Sequence, residues 1–297
     1  MKTIFVTGAT GYLGMHFLRA AAEAPWTLRC LARSRPPHEQ RNVEWVTGDL
    51  LSDSWYNALS GCDGIVHLAT VPLGDCERDP QRGERVIVEG YRRLLDAALD
   101  RGVSRVWGAS TSEVYGNARL PIAEDAPLQP ESLYGYYKAC ADVYTAYRCI
   151  EHSVAYCILR FSTLYGVAIG KEMPRIVVRI FAERISRGEG VVLHAGVQNS
   201  RDFLHVSDAA RALVLAIERP DATGVINVGS GRETRLADVA TQLARICKVP
   251  LQMDVRGDEG RIRRARLATS RARSALGFRP RVTLSRGLRE VVRAVQS

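Results

Sequence analysis

The sequence predicts an α/β chain: a doubly wound parallel sheet followed by a smaller α/β lobe. Three observations predict it. Short β-prone runs alternate with amphipathic helical stretches over the first half of the chain, the pattern of a parallel sheet covered on both faces. A glycine-rich turn joins the first run to the first helical stretch. At 297 residues the chain is long enough for one large unit with a smaller one appended.

The first element is the β-prone run Ile4, Phe5, Val6, which ends at Gly8. Glycines recur at Gly8, Gly11 and Gly14, and Leu13, Phe17, Leu18 and Ala21 then follow helical spacing. A buried strand, a tight turn and a helix N-terminus make a diphosphate cradle. Backbone N–H groups point outward there, the helix dipole adds positive potential, and absent side chains allow close approach. A tight turn with no ligand would share the glycines. The position at the chain start, between strand and helix, favours a Rossmann-type dinucleotide site formed by Gly8, Thr10, Gly11, Tyr12, Leu13 and Gly14.

Trp26–Ala32 reads as the second strand and Arg33-Ser34-Arg35-Pro36-Pro37 as the turn after it. A dinucleotide fold meets the adenosine ribose at this point. An acid here would accept hydrogen bonds from a free 2′-OH, whereas arginine accommodates a 2′-phosphate. The turn offers Arg33, Ser34 and Arg35 and no acid, which favours NADP(H), with NAD(H) the alternative. An exposed basic turn without a ligand would look the same. Val43–Thr47 is the third strand; Asp49 and Leu50 follow it, within reach of an adenine, and a helix is expected from near Ser52.

Residues 65–70 form a fourth strand whose end, Leu68-Ala69-Thr70, suits passage beneath a cofactor. His67 lies inside this apolar run and reads as a packed core histidine. A helix over 82–101 and a fifth strand over 103–109 come next. The loop Ser110-Thr111-Ser112-Glu113-Val114-Tyr115-Gly116 is rich in hydroxyls, and its place after a strand turns it toward the ligand crevice. Tyr134 and Lys138 then share one face of a helix, four residues apart. An ammonium near a phenol stabilises the phenolate and makes Tyr134 a better proton exchanger. Such a pair also arises structurally; the dinucleotide site upstream favours chemistry.

Composition narrows the classes. Hydrophobic residues make up 46% and charged residues 25%, as in an ordinary soluble domain. No apolar run reaches the ~20 residues of a membrane span, and the N-terminal run is short for a signal peptide, so the expectation is a cytoplasmic protein with no membrane partner. The net charge of +9 comes mostly from arginine, with a dense cluster between Arg256 and Arg273. That cluster suits a phosphate-bearing ligand or a solvated face, and without an aromatic-rich motif it does not indicate nucleic acid. Seven cysteines without close ligand spacing read as reduced, small apolar residues, and no metal site is expected.

Taken together the motifs resemble the extended short-chain dehydrogenase/reductase superfamily, in its NAD(P)-dependent epimerase/dehydratase branch. The pieces are residues 7–14, Gly48-Asp49-Leu50, His67-Leu68-Ala69, residues 110–116, Tyr134 with Lys138, residues 159–166, residues 201–208 and Asn227-Val228-Gly229-Ser230-Gly231, in family order over almost the whole chain. The resemblance implies a dinucleotide-binding unit over 1–165 and a substrate-binding lobe over 166–297, with 199–229 returning in part to the first unit. It implies that Tyr134 exchanges the proton of the alcohol or ketone undergoing hydride transfer, that Thr111 hydrogen-bonds the same oxygen, and that Lys138 binds the nicotinamide ribose while tuning Tyr134, with Glu113 assisting. It places Ser110 and Phe161 near the cofactor. Ser112, Thr163, Arg201 and Arg263 or Arg264 would meet a nucleotide-linked sugar. Paired arginines suit its diphosphate, since the guanidinium fork matches phosphate oxygens; a salt bridge from Arg201 to Asp202 or Asp208 is the competing role. A homodimer built from helices over 91–99 and 137–150 is also implied.

Three departures from the family pattern stand out. Ile87 and Thr163 replace asparagines that are frequent there, and Ala268 replaces an acid. Dehydratases of the family carry an Asp-Glu pair where this chain has Ser112-Glu113, which disfavours dehydration. The basic turn favours a net reductase drawing on NADPH, so the expected reaction is reduction of a 4-keto nucleotide sugar. A 4-epimerase comes next and a nucleotide-sugar decarboxylase after it. A non-catalytic NADP(H)-binding sensor or scaffold is the reading from another class, and the hydroxyl loop with Tyr134 and Lys138 weighs against it.

Overall fold

The computed structural model describes residues 2–36, 40–170, 174–194, 198–256 and 263–296. Pro37 of the basic turn, and residues 257–262 within the arginine cluster, lie outside the described residues. A seven-stranded sheet forms from β1 (Lys2–Thr7), β2 (Trp26–Ala32), β3 (Val43–Thr47), β4 (Gly64–His67), β5 (Arg105–Thr111), β6 (Ala155–Phe161) and β10 (Gly224–Val228). Its order is β3-β2-β1-β4-β5-β6-β10 and every pairing is parallel. The order reverses between β1 and β4, so a crevice opens beyond their carboxyl ends.

Burial on both faces follows from the strand period of two. Ile4 and Val6 face one core with α1 (Tyr12–Ala20) and α7 (Val206–Glu218), and Phe5 faces the other with α4 (Tyr91–Asp100) and α5 (Leu133–Glu151). The first core holds Phe17, Leu28, Leu159 and Leu213; the second holds Ile65, Leu94, Leu95 and Cys149. His67 is buried, with Nδ1 2.8 Å from the Thr7 hydroxyl and its ring 4.2 Å from that of Tyr91 in the second core. Cys30, Cys62, Cys76, Cys149 and Cys157 are buried free thiols.

After β6 the chain leaves the large sheet. β7 (Thr163–Tyr165), β9 (Ser200–His205) and β11 (Glu233–Arg235) form a three-stranded sheet, while β8 (Val191–His194) pairs with β12 (Met253–Arg256). Around them pack α6 (Val177–Ser186), α8 (Leu236–Cys247) and α10 (Leu284–Gln296), through Phe181, Ile185, Leu243 and Leu288. From the 199–229 segment, β9 belongs to this small sheet, whereas α7 packs on α1 and β10 pairs with β6. Short α9 (Ser270–Leu276) covers β10.

Several elements differ from expectation, each for a local reason. No α-helix starts at Ser52. The chain makes a 3₁₀ turn over Tyr56–Leu59, because Asp49 and Ser52 spend their side chains on nearby backbone and hydroxyl groups. The helix expected over 82–101 is three pieces after α2 (Leu73–Arg78): α3 (Pro80–Glu84), a π-helical stretch Arg85–Gly90, and α4. Ile87 sits within the π stretch, buried with Val71, Cys76 and Tyr137. β4 stops at His67, which leaves Leu68–Thr70 as the strand-end loop, and β5 runs on to Thr111. Among the described residues, no helix is long and apolar enough to cross a membrane.

Candidate active site

The crevice begins at the glycine turn. Gly8 has φ +72°, and a Cβ there would stand 2.4 Å from the Ala69 backbone nitrogen. A Cβ on Gly14 would stand 2.1 Å from the Gly8 carbonyl. Both positions therefore exclude any side chain, and β1, α1 and the loop after β4 meet backbone to backbone. Gly11 caps α1 without a side-chain bond, and no acid occupies the first turn. The leading N–H groups of α1 are thus left for an anion, and the turn fits a dinucleotide diphosphate. Tyr12 and His16 tie this helix to the start of the small lobe, by bonds of 3.0 Å to the Gly166 carbonyl and 2.8 Å to that of Val167.

Arg33, Ser34 and Arg35 lie exposed immediately beyond β2, and Asp49 directs its carboxylate to the Leu51 N–H at 2.9 Å. The side chains of Leu50, Leu68 and Phe161 are buried in the two cores, whereas Thr10 and Leu13 are partly exposed at the turn.

The hydroxyl loop and α5 meet through another close approach. Ser132 caps α5 by accepting the Gly135 N–H at 3.1 Å, and a Cβ on Gly135 would stand 2.6 Å from the Glu113 carbonyl. Only glycine lets the first turn of α5 press on this loop, which brings Tyr134 beside residues 111–113. Burial pushes the Tyr134 phenol up; Thr70 beside it pulls it back and the Glu113 charge adds to the rise. Thr111 accepts the Glu113 N–H at 3.2 Å, which caps the 3₁₀ turn Ser112–Tyr115. Lys138 is buried with Nζ 2.6 Å from the Ala109 carbonyl, and burial pulls it down to about 8.

Not every loop hydroxyl faces the crevice. Ser110 donates to Asp142 at 2.9 Å, so its hydroxyl is committed inside the protein. Ser112 is buried at 8% exposure.

Toward the small lobe, Arg201 makes neither of the salt bridges that competed with a ligand role. It donates to Asn199 Oδ1 at 2.5 Å, the Ser200 carbonyl at 2.8 Å and the Arg263 carbonyl at 3.1 Å. Asp202 instead accepts from the Ser230, Gly231 and Leu267 N–H groups, and Asp208 from those of Arg281 and Val282. The two candidate arginines diverge as well. Arg263 reaches Glu131 at 2.9 Å and Glu113 at 3.2 Å, whereas Arg264 turns to Glu233. Arg201, Arg263 and Glu113 thus form one charged group, and burial lowers the Arg201 pKa. Thr163 begins β7, paired with Phe203.

Sequence reasoning missed Glu131, the Asp142–Arg160 pair and Ser162, whose buried hydroxyl has no hydrogen-bond partner. Only the glycine beside Tyr134 hinted at the close packing there.

A model of the NAD dependent epimerase/dehydratase family matches residues 4–229. A dTDP-glucose 4,6-dehydratase of Actinoplanes sp. is 30% identical, covering 97% of this chain and 96% of its own. A GDP-6-deoxy-D-mannose reductase of Pseudomonas aeruginosa is 28% identical over 98% and 96%. Among solved structures, MoeE5 in complex with UDP-glucuronic acid and NAD superposes with TM-score 0.89 at 28% identity, covering 99% of each chain. RMD from Pseudomonas aeruginosa complexed with NADPH gives 0.83 at 26% identity, covering 100% of this chain and 99% of its own.

Proposed function

The chain belongs to the NAD dependent epimerase/dehydratase family and is an NAD(P)-dependent enzyme of its sugar-nucleotide branch, and from that premise we propose that it reduces a 4-keto nucleotide sugar with NADPH. The observation that carries the reductase reading is the exposed turn Arg33-Ser34-Arg35, which ends β2 without an acid. A 2′-phosphate there finds two guanidinium groups and no carboxylate within the turn.

The glycine turn and the N-terminus of α1 hold the diphosphate, with Leu68, Ala69 and Thr70 beneath. When bound, the nicotinamide supplies hydride exchange at a carbinol carbon. Tyr134 gives the proton to the reduced oxygen, and Thr111 hydrogen-bonds the same oxygen. Lys138 binds ribose hydroxyls and offsets negative charge that develops on Tyr134. Arg201 and Arg263 neutralise the substrate diphosphate, while Thr163 borders the sugar. Dehydration is disfavoured despite the dehydratase relative: a buried Ser112 stands in place of one acid, and Glu113 is ion-paired to Arg263. A 4-epimerase is the second reading, favoured by the NAD in the MoeE5 complex.

The test is a panel of GDP-, dTDP- and UDP-linked 4-keto sugars with NADPH. One equivalent of NADPH is expected to be consumed per equivalent of product. Interconversion of hydroxy sugars with no net consumption would instead identify an epimerase.

The proposal extends to a homodimer. Tyr136, Val143, Tyr147 and Ile150 are all more than half exposed and, at steps of seven, four and three residues, lie along one side of α5. A second copy of the same face would bury that stripe in an isologous contact. Sedimentation is expected to give a dimer for the wild type and a monomer for Tyr147→Glu with Ile150→Glu. A monomeric wild type would overturn this part.

A further inference from the structure

The crevice residues of α5 rest on a charge that the proposed reaction does not name. Tyr134, Lys138 and Asp142 recur every four residues and so share one face of the helix. Lys138 and Asp142 are buried, at 4% and 6% exposure. Consecutive residues of β5 hold them: the Ala109 carbonyl takes the Lys138 ammonium at 2.6 Å, and the Ser110 hydroxyl donates to Asp142 Oδ2 at 2.9 Å. Arg160 on β6 donates to the same Oδ2 at 2.9 Å. Arg160 is fixed in turn by the Tyr115 hydroxyl at 2.9 Å, which donates to Asn227 at 2.8 Å.

We propose that Asp142 is a positioning residue for Lys138, a buried carboxylate one turn along α5 that keeps the ammonium protonated and seated on the Ala109 carbonyl. The other groups facing this pair do not supply that charge. His67 on β4 is pushed well below its usual range by burial and is neutral. Burial raises the Cys76 thiol of α2 to about 11 and raises the Tyr91 and Tyr134 phenols. Arg160 is cationic and spends its charge on Asp142. Burial pulls Lys138 down to about 8, and Asp142 is the larger of the two influences that hold it up. Without that carboxylate the ammonium would lose the larger of its two supports, and the charge it offers Tyr134 would weaken.

A bare structural clamp between α5 and β6 would make the same ion pair, so the test reads the lysine itself. The chain has four lysines, Lys2, Lys138, Lys171 and Lys248, which keeps a carbon-13 Cε spectrum sparse. The variant is Asp142→Asn with Arg160→Met, which leaves no buried guanidinium unpartnered. Circular dichroism checks its fold. The Lys138 titration midpoint is expected to fall by at least about one pH unit, in the protein without cofactor, and the alkaline limb of kcat to move with it. Asp142→Glu, which retains the charge, stays near the wild type. The reciprocal variant Lys138→Met buries no new charge and keeps the idea testable if the double variant does not fold. In it the Asp142 carboxyl is expected to titrate higher.

An unmoved Lys138 midpoint, an unmoved Asp142 in Lys138→Met, or a kcat loss uniform with pH overturns the proposal. Its catalytic side rests on the reaction proposed above. A midpoint that falls in a protein that reduces no nucleotide sugar counts against that reaction and for the coupling.

Discussion

Replacing Tyr134 by Phe is expected to lower kcat about 10²- to 10⁴-fold while NADPH binding changes by less than about twofold. The structure separates these two effects. The phenol oxygen lies near Thr70 and Glu113 at the crevice, whereas the ring packs with Val71, Ile87 and Tyr137. Phe keeps the packing and removes only the hydroxyl, so the loss of stability is at most on the order of 1 kcal/mol. Stopped-flow loss of NADPH absorbance reads turnover, and fluorescence titration reads binding. A variant that reduces substrate at the wild-type rate would remove Tyr134 from the chemistry. A wild type that binds NADPH yet turns over no keto sugar would instead support the sensor or scaffold reading.

The same residues show what a sequence can disclose. Gly8, Gly11 and Gly14 were legible because their role is local: a positive φ and backbone contacts across a short turn leave a spacing in the sequence. The strands were legible because burial on both faces leaves continuous apolar runs. Asp142 and Arg160 were not, since their pairing depends on α5 lying across β6, and either residue alone is an ordinary charged position. Arg263 and Arg264 could not be told apart for a related reason. The two neighbours reach different acids, and which of them faces Glu113 is set by how their segment lies on the loop after β5. The helix expected at Ser52 failed because side-chain bonds from Asp49 and Ser52 offered the backbone another arrangement.

Replacing Arg33 and Arg35 together by Ala is expected to weaken NADPH binding about 10²-fold and to leave NADH binding within about twofold. Both side chains are exposed at the carboxyl end of β2, so they carry none of the core. Their contribution comes from charge-assisted hydrogen bonds to a group that only one of the two cofactors has. NADH meets this turn with a neutral ribose hydroxyl, and the missing acid denies it the acceptor that an NAD-selective site provides. Exposure also sets a salt dependence. Raising ionic strength screens the guanidinium–phosphate attraction, so the wild type's preference for NADPH should shrink with salt while its NADH affinity stays nearly flat. Fluorescence titrations of both cofactors at low and high salt measure all four quantities. Equal affinities in the wild type, or a preference untouched by the double replacement, would detach the 2′-phosphate from this turn. That result would also remove the main support for net reduction, because an enzyme that oxidises and re-reduces its sugar regenerates the cofactor it holds and has no need of NADPH.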